Sequence, residues 1–385
     1  MKITILGPAH PLRGGIAALN ERLAKQLLEE GHDVNIVSFK LQYPKILFPG
    51  KTQYSSTKAS FNFTVTQEVN SIHPYNWIRI GNKIKRSRPD ILIIRFWLPF
   101  MGMSLGTIAR RVKKNKHTKI ISIADNFIPH EKRPGDSYLS HYFAKPVHGF
   151  IAMSGSVLND LKEFDQLKPK RLTPHPIYDH YGKVEEREFA LEKLGLSHTN
   201  RYILFFGFIR DYKGLDLLLK AFSKEYFKTK NIKLLVAGEF YVDEDKYMQL
   251  VNENQLKEKV IFRSDYIPNS EVQHYFNAAD LVAQPYKSAT QSGVTQIGYH
   301  FNKPMLVTHV GGLAEIIPHM KCGYVVPVNE DEIAKALIDF YENNRMDQFI
   351  KNVMKEKERF SWDKMTKCIF DLWSELVSSQ VSDDG

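Results

Sequence analysis

The loop between Gly207 and Gly214 carries the residues of this chain that are best suited to hold an anion. It contains Arg210 and Lys213, follows an apolar run at residues 202–206, and leads into a stretch with apolar residues at helical spacing. An apolar run of this length predicts a strand buried on both faces. Helix N-termini favour negative charge, and two cations strengthen that preference. The pattern predicts a phosphate-binding loop, and a solvated surface loop is the alternative.

A second candidate anion site lies in the long polar segment at residues 284–304. Small and hydroxyl-bearing residues lead there into a helix predicted to begin near Val294, and they include Ser288, Thr290, Gln291, Ser292 and Gly293. Such a run at a helix N-terminus is typical of an anion cradle. Helix capping would account for one of these hydroxyl groups but not for the whole run.

Glycines mark three further loops. Gly14 and Gly15 precede a predicted helix and would let backbone N–H groups approach a ligand closely, although the GxGxxG dinucleotide fingerprint is absent. Gly238 either leaves room for a flat ligand or tightens a turn. Gly311 and Gly312 expose further backbone before a predicted helix. A purely structural loop is the alternative for the Gly14 segment.

Acid–base chemistry is best represented in residues 124–136. Asp125, His130 and Glu131 supply carboxylates and an imidazole to a polar loop after a predicted strand. Such groups could orient or deprotonate a hydroxyl nucleophile. They could equally cap a helix that starts near Ser137.

These loops require strands to position them, and the chain alternates short apolar runs with helical patterns. The predicted strands are residues 2–6, 33–38, 91–95, 119–124, 149–153, 202–206, 233–237, 260–263, 281–284, 304–308 and 323–326. This alternation indicates βαβ units and parallel sheets. Ligands bind such sheets at the carboxyl ends of the strands, where these candidate loops are predicted.

The length of 385 residues predicts two domains. A proline-rich stretch at residues 168–182 is the expected link between them. Residues 42–76 are less regular, which suggests a hairpin or an excursion over the surface. An amphipathic helix at residues 362–377 ends the pattern.

Composition limits the class of protein and its expected location. The chain has 43% hydrophobic and 25% charged residues, which is ordinary for a globular protein. No apolar stretch approaches the roughly 20 residues of a membrane span, and the N-terminus has the pattern of a strand rather than a signal peptide. The cytoplasm is the expected location. Two cysteines, Cys322 and Cys368, are too few for a disulfide framework or a metal site.

The net charge of +10 includes local basic clusters at Lys83, Lys85, Arg86 and Arg88, and at Arg110, Arg111, Lys113, Lys114 and Lys116. Solvated helix faces would explain them. As a functional interpretation, peripheral contact with the inner face of an anionic membrane is favoured over nucleic acid, for which no motif is present.

Taken in order, these segments resemble a GT-B fold glycosyltransferase of retaining family 4, over nearly the whole chain. The matching segments include PLRGG, IPHE, FIAMS, PHPIYDHYG, FFGFIRDYKGLDLLLKAF, LLVAGEF, YFNAADLVAQPY and KPMLVTHVGGLAEII. The resemblance implies an α/β fold of two Rossmann-like domains facing across a cleft. Residues 1–180 would be the acceptor domain, with a C-terminal helix at 361–380 packing back on it, and residues 181–360 the nucleotide-sugar domain.

The resemblance also implies an activity and a set of roles. The activity is transfer of a sugar from a UDP- or GDP-sugar to a glycan or lipid-linked acceptor in polysaccharide or glycoconjugate synthesis, without a metal or other cofactor. Lys213 matches the diphosphate-binding lysine, Gly14 and Gly15 the glycine loop, and Glu315 the acidic residue after the GG turn. The predicted catalytic residues are Asp125, His130, Lys213 and Arg210. The predicted donor-binding residues are Gly14, Gly15, Gly207, Gly238, Gln291, Ser292, Gly293, Val294, Thr295, Gln296 and Glu315.

The sequence departs from the family pattern in three respects. Phe208 stands where an arginine is usual, although Arg210 follows two residues later. The Glu-x7-Glu pair falls on Ala289 and Ile297, so the amides of Gln291 and Gln296 are the candidate replacements. The family's histidine after the fourth strand falls on Asp125. A divergent active enzyme, a different donor sugar, a GT-B epimerase and a non-catalytic nucleotide-sugar binder all remain open.

Overall fold

The computed structural model describes residues 1–44, 53–54, 62–128, 134–289 and 292–383, which form two compact units. The first unit contains Met1–His175 and Ser361–Gly385, and the second contains Pro176–Phe360. The chain therefore leaves the first unit after His175 and returns to it at Ser361. Each unit is built on its own sheet.

Among the described residues, seven strands form the first sheet and six form the second. They are β1 Lys2–Leu6, β2 Asp33–Leu41, β3 Thr64–Asn70, β4 Ile91–Phe96, β5 Lys119–Ala124, β6 Gly149–Ala152, β7 Lys170–Leu172, β8 Arg201–Phe206, β9 Ile232–Ala237, β10 Val260–Arg263, β11 Leu281–Gln284, β12 Met305–Thr308 and β13 Gly323–Val326. Every neighbouring pair is parallel. The eleven strands predicted from sequence are confirmed to within three residues at each end.

Helices connect these strands. They are α1 Gly15–Glu29, α2 Pro74–Ser87, α3 Gly102–Lys113, α4 Asp136–Ala144, α5 Gly155–Phe164, α6 Arg187–Leu194, α7 Leu215–Phe222, α8 Glu225–Thr229, α9 Asp245–Glu253, α10 Val272–Ala278, α11 Gly293–His300, α12 Leu313–Ile316, α13 Glu330–Glu342, α14 Met346–Glu356 and α15 Trp362–Asp383. Short 3₁₀ turns occur at Pro99–Met101, Asp211–Lys213 and Lys357–Phe360. The βα alternation that the sequence predicts is confirmed.

Strand order fixes where ligands can bind. The first sheet has the order β3-β2-β1-β4-β5-β6-β7 and the second the order β10-β9-β8-β11-β12-β13. The order reverses between β1 and β4 in one sheet and between β8 and β11 in the other, and such switch points open a crevice at the carboxyl ends of the strands. The loops that begin at Gly7, Gly207 and Pro285 follow β1, β8 and β11. They therefore lie at the two switch points.

Two sequence interpretations need revision. The segment at 42–76 does not form a hairpin in its described part, because β3 pairs in parallel with β2 and α2 follows it directly. As an edge strand with a half-exposed sequence, TVTQEVN lacks the continuous apolar run of a central strand. The proline-rich stretch at 168–182 is not wholly a link, because it begins with β7, which extends the first sheet.

The last helix belongs to the first unit. Ile369 and Leu372 of α15 are fully buried, and a Cβ added to Gly149 at the start of β6 would lie 3.1 Å from a Cδ of Leu372. Thr366 Oγ1 donates a hydrogen bond to Glu30 at 2.7 Å. The prediction that the C-terminal helix packs back onto the N-terminal domain is confirmed.

Candidate anion-binding site

The end of β8 turns at Gly207, whose φ of 94° favours glycine. A Cβ added there would lie 2.9 Å from Nζ of Lys213 and 3.8 Å from Cγ2 of Val294. The ammonium group and the first turn of α11 therefore both lie against the Gly207 backbone. The structure brings together two loops that are far apart in the sequence, because β8 and β11 are neighbours.

Lys213 is a buried cation. The residue is 8% exposed, and its Nζ lies 5.8 Å from the ring centre of Tyr286. No described residue gives this Nζ a hydrogen bond or an ion pair. Burial, and secondarily the charge of Arg210, lowers the pKa of Lys213 to about 7. A buried ammonium without an acidic neighbour is costly, and a bound anion would remove that cost.

Arg210 supplies a second positive charge at the same loop. Its guanidinium lies 5.2 Å from the ring centre of Tyr241, and Phe208 packs on the same ring at 4.6 Å. The acidic member of the loop, Asp211, faces elsewhere, because its Oδ1 accepts from Lys246 at 2.8 Å and from the Tyr247 hydroxyl at 3.2 Å. The loop therefore presents positive charge without neutralising it internally.

The first turn of α11 is held by Ser292. Its Oγ accepts from the Val294 N–H at 3.2 Å and donates to Gln284 Oε1 at 2.7 Å. Thr295 is fully buried, and its hydroxyl donates to the Ser292 carbonyl. Ser292 is therefore the N-cap of α11, the single hydroxyl that capping was expected to explain. Gly293 lets Tyr178 pack closely, since a Cβ there would lie 2.5 Å from the ring.

Gln296 differs from these residues. It is fully buried, and neither its Oε1 nor its Nε2 has a hydrogen-bond partner. The Nε2 of Gln284 is also without one. Buried polar groups are nearly always satisfied, so an unsatisfied amide here needs an explanation such as a ligand. Gln291, its predicted companion, lies outside the described residues.

Two more predicted donor residues lie in the second unit. A Cβ on Gly238 would lie 2.4 Å from the carbonyl oxygen of Gly207, so this glycine lets the ends of β8 and β9 approach. Glu315 is exposed on α12, and its backbone carbonyl accepts a hydrogen bond from Arg359 at 2.9 Å. Neither geometry yet assigns a ligand contact.

The remaining predicted residues lie in the first unit. Gly14 has a φ of 124° and precedes α1, which begins at Gly15, and a Cβ on Gly14 would meet nothing within 4 Å. The loop is tied to α1 by Glu21, whose Oε1 accepts from the His10 N–H at 2.6 Å. Burial raises the pKa of Glu21. The backbone at Gly14 is therefore open while the rest of the loop is fixed.

Asp125 follows β5 and is paired with a buried arginine. Arg95 Nε and Nη2 donate to the two carboxylate oxygens of Asp125, each at 2.6 Å. His130 and Glu131 lie outside the described residues. The helix that they were expected to cap starts at Asp136, and its N-cap is Gly135, which makes no side-chain hydrogen bond.

The basic clusters meet on the first unit because α2 and α3 pack together. Arg111 Nε donates to Asn82 Oδ1 at 3.1 Å. Arg110 is used internally: its guanidinium lies 3.6 Å from the ring centre of Tyr142 and donates to the Tyr142 carbonyl at 2.6 Å. In the part of the chain that the structure describes, no helix is long and apolar enough to cross a membrane, and no three His, Cys, Asp or Glu side chains cluster as metal ligands.

Sequence reasoning missed several residues that shape these sites. Arg95 is a lone cation inside the apolar run ILIIRF, and that position was a signal of a buried partner. Gln284 and Tyr286 follow the apolar part of β11 and contact Ser292, with the Tyr286 hydroxyl 3.3 Å from its Oγ. Polar residues at the end of a buried strand are the available signal.

Comparison with known proteins now gives the family. Residues 13–176 match the model described as Glycosyltransferase Family 4, and residues 186–356 match Glycosyl transferases group 1. An uncharacterised glycosyltransferase of Methanocaldococcus jannaschii is 24% identical, covering 95% of this chain and 96% of that protein.

Solved structures show the same fold. Sucrose-phosphate synthase from Thermosynechococcus elongatus superposes with a TM-score of 0.73 at 15% identity, covering 98% of this chain and all of that one. HepE of Anabaena, solved in complex with UDP, has a TM-score of 0.71 at 15% identity, covering 99% of this chain and all of that one. With both halves matched and the GT-B fold shared, the chain belongs to the group 1 glycosyltransferases.

Proposed function

We propose that this glycosyltransferase transfers a sugar, with retention of configuration, from a UDP- or GDP-sugar to a glycan or lipid-linked acceptor in polysaccharide or glycoconjugate synthesis. The observation that carries the proposal is the buried Lys213 ammonium, which has no hydrogen-bonding or acidic partner among the described residues and lies against Gly207 at the switch point. A diphosphate would supply the missing charge. The UDP complex of HepE, which shares the fold, supports a nucleotide ligand.

The chemistry asks for stabilisation of a leaving group. As the bond from the sugar carbon to the diphosphate oxygen breaks, negative charge grows on the diphosphate. The acceptor oxygen forms its bond to the sugar carbon on the same face, and its proton passes to the departing diphosphate. Lys213, Arg210 and the N–H groups at the start of α11 are suited to that charge. Removing one such electrostatic donor in other enzymes costs on the order of 100-fold or more.

Side-chain amides, rather than carboxylates, would bind the hydroxyl groups of the donor sugar. The family's two glutamates are replaced by Ala289 and Ile297, neither of which can accept a hydroxyl hydrogen bond. Gln296 has an unsatisfied buried amide one residue before Ile297. An amide both donates and accepts, so it can bind a sugar hydroxyl without adding charge.

Transfer is proposed to be independent of a metal, because Lys213 and Arg210 provide the positive charge that a divalent cation would otherwise supply. Transfer should therefore persist in excess EDTA. Activity that is lost in EDTA and restored by Mg²⁺ or Mn²⁺ would contradict this part of the proposal.

Peripheral membrane contact is proposed for the exposed face of α2. Tyr75 is 72% exposed and Ile78 is 38% exposed at its start, and Arg86 and Arg88 are exposed at its end. Apolar and basic groups on one helix suit an anionic bilayer surface. Arg86→Glu/Arg88→Glu should weaken co-sedimentation with phosphatidylglycerol vesicles, and unchanged sedimentation would refute the contact.

A second candidate is a nucleotide-sugar binder that does not catalyse transfer. The observation that favours it is the pairing of both Asp125 oxygens with Arg95, which leaves this carboxylate poorly placed to take a proton. Thermal-shift measurement with UDP-, GDP- and ADP-sugars identifies the ligand. Following transfer or slow hydrolysis of that ligand then distinguishes the enzyme from the binder.

A further inference from the structure

A pocket on the first unit has a lining unlike that of any site described above. It lies at the amino ends of β5 and β6, which is the edge of the sheet opposite to Gly14 and Asp125. The cavity has a volume of about 330 Å³ and is lined by Lys113, Lys116, His117, Thr118, Lys119, His148, Leu376 and Ser379. The described lining contains three lysines and two histidines and no carboxylate.

The imidazole of His148 has a fixed role in this lining. Its Nδ1 accepts from the Ile120 N–H at 2.9 Å, while the His148 N–H donates to the Ile120 carbonyl at 2.8 Å. Burial and the charges of Lys113, Lys119 and Lys168 lower the pKa of His148 to about 4. The ring is therefore neutral at pH 7, and its proton resides on Nε2, which is left as a donor.

Burial lowers the pKa of two of the lysines at this edge. Lys119 is 8% exposed, and burial lowers its pKa. The pKa of Lys113 is also lowered, by burial and by the charges of Lys168 and Arg110. Lys116 extends the same positive edge from the turn after α3.

Two acids near this edge, in the part of the chain that the structure describes, have partners of their own. Asp90 Oδ1 lies 3.2 Å from His117 Nε2, and Asp90 Oδ2 accepts from the Lys2 N–H. Glu375 of α15 pairs with Arg171 at 2.6 Å. Asp90 and Glu375 therefore have partners other than the lining lysines.

We propose that this pocket binds a phosphate group, with the ammonium groups of Lys113 and Lys116 and the Nε2–H of His148 as its donors. Phosphate matches the site because it offers several acceptor oxygens and at least one negative charge to a set of donors. The size of the cavity admits a phosphate ester or pyrophosphate. The phosphate belongs either to a soluble compound or to a lipid headgroup.

Binding here would also act on the end of the chain. Leu376 and Ser379 of α15 line the pocket together with the amino ends of two strands. A ligand that contacts both would hold the last turns of α15 against the sheet. Bound phosphate is therefore expected to stabilise the first unit.

The test uses inorganic pyrophosphate and the full chain carrying Lys213→Met, so that the candidate donor site no longer contributes. Calorimetry should show saturable binding, weakened about 10-fold or more by adding Lys113→Met/Lys116→Met. The matched control is Lys351→Met/Lys355→Met, which removes two exposed lysines of α14 in the other unit. The imidazole ¹⁵N resonances of His148 should move on titration. Lys119→Met serves as a second pocket variant if its thermal melt shows a folded protein.

Two arms identify the source of the phosphate. Binding to phosphatidylcholine vesicles that contain phosphatidic acid, lost in the Lys113/Lys116 variant and competed by pyrophosphate, assigns it to a lipid headgroup. Pyrophosphate binding without vesicle binding assigns it to a soluble compound. Absence of saturable binding in the Lys213→Met protein, or equal weakening in the Lys351/Lys355 control, overturns the proposal. Because Lys213 is already removed, failure here leaves the donor-site assignment untouched.

Discussion

Both carboxylate oxygens of Asp125 accept hydrogen bonds from the guanidinium of Arg95, each at 2.6 Å, and the Arg95 side chain is 3% exposed. The pair fixes the start of the loop after β5. Asp125 therefore has a structural role as the partner of a buried cation. A catalytic role, in which it acts on the substrate, is a separate question.

Asp125→Ala should destabilise the protein by about 3–5 kcal/mol, because it leaves a buried guanidinium without its counter-charge. Adding Arg95→Met removes that charge and should restore most of the free energy of unfolding. If Asp125 also acts in catalysis, transfer stays at least about 100-fold below wild type in the double variant. Urea denaturation and initial rates measure the two effects. Wild-type transfer by the double variant would remove Asp125 from the catalytic residues.

Lys213→Met should abolish detectable transfer and raise the stability of the unliganded protein. Between pH 7 and 10.5 the unfolded chain keeps the Lys213 proton that the folded chain loses, so the cost of burying the charge is greatest below pH 7 and declines as the pH rises. Each ~1 kcal/mol gained near pH 7 corresponds to a rise in Tm of about 2–4 °C. Lys220→Met, at an exposed position of α7, is the control and should leave transfer unchanged. An active Lys213→Met enzyme would sink the donor-site assignment.

Nucleotide affinity should fall as the pH rises above 7. In the free protein Lys213 loses its proton near pH 7, whereas a bound diphosphate holds the proton on, so binding takes up a proton in this range. The Kd should increase towards tenfold per pH unit. Calorimetry with UDP or GDP from pH 7 to 9 measures it. Lys213→Arg, which stays charged, should show a flat profile, and a flat wild-type profile would contradict the assignment.

Gly207→Ala should reduce transfer strongly while the protein stays folded. The added Cβ would lie 2.9 Å from Lys213 Nζ, so it displaces the ammonium, and a φ of 94° adds backbone strain. Gly195→Ala is the matched control, because its φ is 62° and its Cβ would meet nothing within 4 Å. Comparable melts with a selective loss of transfer at Gly207 are expected. Equal losses in both variants would show that strain alone is responsible.

Gln296→Leu should stabilise the unliganded protein, since it removes two buried polar atoms that lack partners. It should also raise the KM for the donor sugar by about 10-fold. Gln249→Leu is unsuitable as a control, because that amide donates to Glu253. The affinity for the nucleotide without its sugar serves as the control instead, and this affinity should change little. If the affinities for the nucleotide and the nucleotide sugar fall equally, the Gln296 amide does not bind the sugar.

The strands and the Lys213 loop could be predicted because central parallel strands give continuous apolar runs, such as ILIIRF and RYILFF. The burial of Lys213 could not be predicted. It depends on Gly207, on Tyr286 from another loop, and on the pairing of β8 with β11. The sequence reveals the charge of a side chain but not its exposure to solvent in the folded protein.

The hydroxyl groups at the start of α11 form hydrogen bonds that local sequence can explain. The sequence predicts Ser292 and Thr295 as donor-binding residues. In the structure the Ser292 hydroxyl bonds the Val294 N–H and Gln284, and the Thr295 hydroxyl donates to the Ser292 carbonyl. Serine is a preferred N-cap residue, so the contact of Ser292 with the Val294 N–H follows from local sequence. The role of Arg95 was missed because its partner, Asp125, follows the neighbouring strand β5 and is 30 residues away in the sequence.

The position of α15 bears on how the protein is made. The helix buries Ile369 and Leu372 in the first unit, although it is synthesised after the whole second unit. Domains tend to fold as they emerge, N-terminal first. The first unit therefore cannot complete its folding until the whole second unit has been synthesised. Until then the apolar surface around Gly149 remains exposed. Ribosome-bound chains stopped shortly after Phe360 should expose this surface to chaperones.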